Sequence, residues 1–277
     1  MNIVLFSQDE LLNPLPPRDE RTVHIRKVLH KTTGDSFEAG VIDGQAGQAV
    51  ITSDTDEGIS FVFTPQTDGK PLYPVTLIVG FPRPIQLKRL FRDAAGLGVE
   101  AIYLCGTELG EKSYMDSNIV EKGAARAALI DGTAQAKSTH VPELRLFPSV
   151  KACLATLAEN ASAGGEKNDD IRVMLDNVKP DGSLFSCMQQ KLAEARCAWL
   201  VGQACTTGNT AIPENTAKPC MPHVYASIGS ERGWTDNERA LFKNAGFASC
   251  SMGSRVLRTE TAATVAATII LQSMEVL

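Results

Sequence analysis

Residues 247–262 read Phe247-Ala248-Ser249-Cys250-Ser251-Met252-Gly253-Ser254-Arg255-Val256-Leu257-Arg258-Thr259-Glu260-Thr261-Ala262. The run from Phe247 to Ser251 reads as a short strand, and Thr261 to Val276 reads as the last helix of the chain. Between them two arginines, three residues apart, precede Thr-Glu-Thr at a helix start. Cationic side chains beside the electropositive end of a helix meet like potential. That is unfavourable in a purely structural turn and useful where an anion or a developing negative charge is held. The alternative is that Arg258 simply pairs with Glu260 or Glu231.

Upstream lies a second strand end of the same kind. The apolar strand Val224 to Ile228 runs into Gly229-Ser230-Glu231-Arg232-Gly233-Trp234, and Thr235-Asp236-Asn237-Glu238 then supplies a capping box for the next helix. A loop pinned between a buried strand and a capped helix holds its backbone groups at fixed positions, and Gly229 and Gly233 allow a ligand to approach that backbone closely.

Further upstream, strands are predicted at Val75 to Val79, Ala101 to Cys105, Ile171 to Leu175 and Ala198 to Val201. Helices are predicted at Ile85 to Leu97, Asn118 to Gln135, Leu184 to Glu194 and Asp236 to Ala245. Alternating β and α units imply an α/β fold with a mostly parallel sheet, in which ligands bind beyond the carboxyl ends of the strands. Gln203 to Pro222 has no clear element, and loops of that length are usually functional. Before residue 70 the pattern differs. Short strands at Phe37 to Ile42, Gln48 to Thr52 and Ile59 to Phe63 are separated by turn residues, and the breaker-rich Thr67-Asp68-Gly69-Lys70-Pro71 reads as a linker. A length of 277 residues suits roughly two domains.

The chain carries 27 Lys and Arg against 32 Asp and Glu, a net of −5, which taken alone counts against a nucleic-acid partner. Its distribution changes that reading. Residues 1–80 hold 6 basic and 11 acidic side chains, and residues 81–277 hold 21 of each. Residues 18–31 form a basic helix, and residues 35–69 contain seven acids and no Lys or Arg. No apolar run is long enough to span a bilayer, and the start has no basic n-region or cleavage site, so a soluble, cytoplasmic protein is expected. The seven cysteines are odd in number and scattered, as buried thiols are in a reducing compartment, and the four histidines show no ligand spacing, so no metal is expected.

The pairing of Ile228-Gly229-x-Glu231-x-Gly233 with Gly253-x-Arg255-Val256-Leu257-Arg258-Thr259-Glu260-Thr261-Ala262 resembles the RsmE family. These are SPOUT-superfamily enzymes that methylate N3 of a uridine in small-subunit (16S) ribosomal RNA with S-adenosylmethionine. Fainter matches are His24-Ile25-x-x-Val28-Leu29 before Gly34-Asp35, Leu97-Gly98-Val99 before Glu111-Lys112-Ser113, and Gln135 with Val141-Pro142-Glu143. The chain has Gly229-Ser230-Glu231-Arg232-Gly233 where the family usually has Gly-Pro-Glu-Gly-Gly.

The resemblance implies a PUA-like β-barrel over residues 1–70 and a SPOUT methyltransferase domain over 71–277 with a deep C-terminal trefoil knot, in a homodimer. It implies that the cofactor lies among backbone groups of three loops, at Leu175 and Asp176, at Ile228, Gly229 and Gly233, and at Ser251, Met252, Gly253, Val256, Leu257 and Arg258. Thr261 and Ala262 would form the floor. Arg258 is the first choice as the catalytic arginine and Arg255 the second, with Glu231 first as a brace between the two loops and second as proton acceptor or as a group that orients an arginine. His24, Arg26 and Lys27, with Arg83, Lys88, Arg89 and Arg92, form the expected footprint on ribosomal RNA or the assembled small subunit. Two other readings stay open: a SPOUT-fold RNA-binding or ribosome-assembly protein with weakened turnover, and a SPOUT methyltransferase acting at another RNA site. A nucleotide-dependent α/β enzyme is disfavoured, since no GxGxxG or GxxxxGK[ST] follows a strand.

Overall fold

The computed structural model describes residues 2–115, 117, 123–163, 170–207 and 221–277, without the side chains of 161–163 and 198–207. It divides into two compact units, Met1–Leu72 with Phe91–Gly98 and Lys122–Pro142, and Tyr73–Leu90 with Val99–Glu121 and Glu143–Leu277.

In the first unit, β1 (Val4–Phe6) pairs in parallel with β2 (Ser36–Val41), and β3 (Ala46–Thr55) and β4 (Gly58–Thr67) extend the sheet as an antiparallel meander. The three meander strands bury alternate residues, Phe37 and Ala39, Ala49 and Ile51, Ile59 and Phe61, as a sheet with one wet face requires. Phe6, Phe37 and Phe61 meet with ring centroids 4.6 to 6.5 Å apart, and Ile25 of α1 (Glu20–Lys27) joins this core. Arg21 fastens α1. Its guanidinium donates to Glu10, to Asp19 and to the Leu5 carbonyl, and the hydrogen bond to Arg21 leads the effects that hold the Glu10 carboxyl down at about 2.

The unit also takes in the last part of α2 (Pro84–Leu97) and α3 (Ala124–Gln135). The amides of Asn2 and Ile3 donate to the Ala134 carbonyl at 3.2 Å, and Asp43 donates to the Thr139 carbonyl at 2.8 Å while its carboxylate accepts from the Val141 amide at 2.8 Å. Gly132 lets α3 lie on the backbone of Arg92, whose carbonyl a side chain there would strike.

The second unit is built on an all-parallel sheet in the order β7-β6-β5-β10-β8-β11-β9. Its strands are β5 (Tyr73–Gly80), β6 (Val99–Cys105), β7 (Glu143–Phe147), β8 (Ile171–Leu175), β9 (Gly182–Ser183), β10 (Val224–Ile228) and β11 (Ala248–Ser251). Strand β10 enters late in the chain between β5 and β8, with Ala226 paired to Leu77 on one side and Val173 on the other. On one face, Ile78, Tyr103 and Met174 pack with α4 (Val150–Ala163) and α6 (Asp236–Asn244), through Leu157, Phe242 and the neighbouring Trp234 and Phe247. Helix α7 (Thr259–Ser273) packs on β5, on β10 and on α5 (Leu184–Thr207), burying Ala263, Ala266, Ala267 and Ile270.

The expected α/β fold with a parallel sheet is borne out. Ala198 to Val201, expected as a strand, lies inside α5, which continues past Glu194 to Thr207. Four apolar residues in a row do not distinguish a strand from a turn of helix. The last helix runs from Thr259 to Ser273, slightly earlier than expected. Of the helix expected over Asn118 to Gln135, the part from Ala124 is observed and residues 118–122 lie outside the described residues; so do 208–220 of the Gln203 to Pro222 loop. Strand β7 and helix α4 were not expected.

Candidate active site

Strands β8, β10 and β11 end close together, since Leu175 is in register with both Ile228 and Cys250. The segments that follow them line a cleft of about 290 Å³, formed by Leu175–Val178, Ile228–Trp234, Met252 and Arg255–Leu257, with Thr259 and Ala262 of α7 and Arg239 of α6. This is the carboxyl end of a parallel sheet, where α/β proteins bind ligands.

Each wall is anchored. Asp176 directly follows β8 with its side chain 5 % exposed, and Arg239 donates to its Oδ2 from Nε at 2.6 Å and to its Oδ1 from Nη2 at 3.3 Å. The Val178 amide donates to the same carboxylate at 3.1 Å. Burial pushes the Asp176 carboxyl up, but the Arg239 hydrogen bond, the Val178 and Asn177 amides and the Arg239 charge outweigh it and hold it below its ordinary value. The indole of Trp234 donates to the Leu175 carbonyl at 3.2 Å, which ties the second wall to the first.

In the Ile228–Trp234 wall, Gly229 approaches Gly233 so closely that a Cβ would stand 2.9 Å from the Gly233 Cα, and Gly233 has φ 72°. Thr259 donates from its hydroxyl to the Gly229 carbonyl at 3.2 Å, so the start of α7 holds this wall as well. Glu231 accepts from Arg83 Nε at 2.9 Å. In the third wall Gly253, at φ 121°, turns the chain, and its amide donates to Ser251 Oγ at 3.0 Å.

Of the residues expected at the cofactor, Leu175, Asp176, Ile228, Gly229, Gly233, Met252, Val256, Leu257 and Ala262 line the cleft. Ser251, Gly253, Arg258 and Thr261 are not in its lining, although Ser251 and Gly253 shape the turn and Arg258 is the N-cap residue of α7. Arg255 and Glu231 line the cleft. Arg258 pairs with neither Glu260 nor Glu231. Among the described residues, neither Arg255 nor Arg258 makes an ion pair or a side-chain hydrogen bond. Sequence reasoning missed Asn177, Val178, Arg239 and Thr259. Arg239 lies one turn into a capped helix, and its place here follows only from the way α6 packs.

The expected RNA footprint is more heterogeneous. Arg26 is held by Asp54 and the Thr55 carbonyl, Arg92 by Asp131 and Arg83 by Glu231. Lys27 and Lys88 are exposed. Among the described residues no group of three or more His, Cys, Asp and Glu is placed to hold a metal ion, and no helix is long and apolar enough to cross a membrane.

An all-parallel α/β sheet with one cleft wall from each of three late strand ends defines a class, and the family model described as RNA methyltransferase domain matches residues 68–203 and 172–271. Ribosomal RNA small subunit methyltransferase E of Treponema pallidum is 36% identical over 275 residues, 98% of this chain and 91% of that protein. Its counterpart from Borreliella burgdorferi, ribosomal RNA small subunit methyltransferase E 1, is 26% identical over 274 residues, 99% of this chain and 98% of that one. The chain belongs to the ribosomal RNA small subunit methyltransferase E family, as its sequence motifs suggested. A solved structure of the Neisseria gonorrhoeae member bound to S-adenosyl methionine has the same fold, with TM-score 0.64 at 19% identity over 98% of this chain and 97% of that one.

Proposed function

We propose that this protein transfers a methyl group from S-adenosylmethionine to N3 of a uridine in small-subunit (16S) ribosomal RNA. The observation that carries the reading is the convergence, on one cleft, of the two loops that bear this family's sequence motifs and the loop that follows β8. The relatives are named for methylation of small-subunit ribosomal RNA, and one solved neighbour binds the cofactor. The residues present suit the cofactor. A volume of about 290 Å³ lies at the lower edge of ligand pockets. The bare backbone at Gly229 and Gly233 and the aliphatic Val178, Val256 and Leu257 offer flat and apolar surface to an adenosine.

When bound, S-adenosylmethionine supplies an electrophilic methyl group on a sulfonium. The chain's own residues have three tasks. N3 of uracil is an imide nitrogen, a poor nucleophile until its proton leaves, so it must be held in line and the charge on the two carbonyl oxygens must be stabilised. Arg255 at the cleft wall and Arg258 at the start of α7 are assigned to that charge. Glu231 is assigned to orienting Arg83, the role favoured by their contact at 2.9 Å, with the N3 proton then passing to water, or to accepting that proton itself.

In this reading residues 1–70 are a PUA-like β-barrel and 71–277 a SPOUT domain. A trefoil knot is supported by the late entry of β10 between β5 and β8 and by the packing of α7 back on β5. A homodimer is supported by the apolar rim of the cleft, where Val256 and Val178 are 85% and 63% exposed. His24, Arg26, Lys27, Arg83, Lys88, Arg89 and Arg92 are assigned to ribosomal RNA, and the setting is cytoplasmic. The test is methyl transfer to small subunits lacking the modification, with mass spectrometry locating the product. N3-methyluridine is expected, and label on a carbon, a ribose or another RNA would refute the substrate.

A further inference from the structure

One buried carboxylate beside the cleft has no part in this chemistry. Glu238 is 2% exposed and completes the capping box of α6 with Thr235. Its Oε2 accepts from the Thr235 amide at 2.9 Å, as a capping box requires, but its Oε1 accepts from the amide of Glu108 at 2.9 Å, in the loop that follows β6. Glu108 returns the contact, its carboxylate accepting from the Thr235 hydroxyl at 2.6 Å. An ordinary capping box satisfies two amides of its own helix. Here the box is cross-linked, both ways, to a different loop, and the desolvation of a buried carboxylate is offset by hydrogen bonds from two separate segments.

The same loop reaches the cleft wall at two more points. Thr107 Oγ1 donates to Ser230 Oγ at 3.1 Å, and Arg232, the large cation at a family glycine position, donates to the Leu109 carbonyl and to Glu111 at 3.4 Å each. No residue of 107–111 is in the cleft lining. A wall with glycines at 229 and 233 has little stiffness of its own.

We propose that Glu238 and Glu108 are positioning residues that set the affinity of the cleft for S-adenosylmethionine by fixing its Ile228–Trp234 wall from behind. The inference rests on the cofactor reading above. Calorimetry of the full-length protein with S-adenosylmethionine tests both. Glu108→Ala, in a surface loop, should weaken binding roughly tenfold, the effect of losing one ordinary hydrogen bond to Thr235. Glu108→Gln, which keeps an acceptor oxygen for Thr235, should bind as the wild type does. In methyl-transfer assays the KM for S-adenosylmethionine should rise in the alanine variant while kcat at saturation holds, a split that simple loss of folded protein does not give. Glu238→Gln should lose at least as much affinity; if it does not fold, the Glu108 pair decides alone. A wild type that binds, with Glu108→Ala within twofold of it, overturns this inference only. A wild type that does not bind overturns the cofactor reading and this inference with it.

Discussion

Asp176 directly follows β8 with an enclosed carboxylate, and Arg239 makes that position tenable. Removing one partner of a buried pair strands the other, at a cost of about 3 kcal/mol, so Asp176→Asn should lower the melting temperature markedly at neutral pH. The pH dependence has a definite sign. The Asp176 carboxyl is held low in the folded state, so its contribution is present above the unfolded value of about 3.9 and is lost as pH falls through the folded value. Melting curves of wild type and Asp176→Asn should therefore converge in acid. The two arginines are read by activity. Arg258→Ala should abolish methyl transfer with cofactor binding largely kept, and Arg255→Ala should reduce it strongly. Transfer near the wild-type rate in Arg258→Ala would remove that residue from the chemistry.

The strand ends press on one another through glycine. A Cβ at Gly80, the end of β5, would stand 2.5 Å from the Ser230 amide nitrogen and 2.8 Å from Thr107 Cγ2, so Gly80→Ala must displace the cleft wall. It should cost about 1 to 3 kcal/mol of stability and weaken binding of S-adenosylmethionine, and calorimetry with a thermal melt measures both. The interior strands β5, β6, β8 and β10 were legible in the sequence because strands buried on both faces are continuous apolar runs. Strand β7 was not, since Glu143-Leu144-Arg145-Leu146-Phe147 sits at the sheet edge and alternates with charge. Two of the cleft loops were legible through their glycines and the arginines before a helix start, and the loop after Leu175-Asp176 only through the family resemblance. Arg239 and Glu238 were not recognised as part of the site, because their roles depend on contacts to Asp176 and Glu108, 63 and 130 residues away.

Over the whole molecule the acidic excess lies in residues 1–80, and part of it is spent on the basic helix itself. Asp54 at the β3–β4 hairpin holds Arg26, so that arginine meets a phosphate only by exchanging one anion for another. Asp54→Asn should raise affinity for nonspecific RNA and steepen the slope of log K against log salt by about 0.7, the increment for one single-strand phosphate contact. Anisotropy titrations over a salt series would read it, and an unchanged slope would remove Arg26 from the footprint. The late entry of β10 between β5 and β8 has a consequence for biosynthesis. The centre of the sheet stays open until residues 224–228 have left the ribosome, well after β5 and β8 on either side of them. Every fragment truncated before residue 259 lacks the helix that seats Gly229. Such fragments should therefore bind S-adenosylmethionine weakly or not at all, which calorimetry would measure.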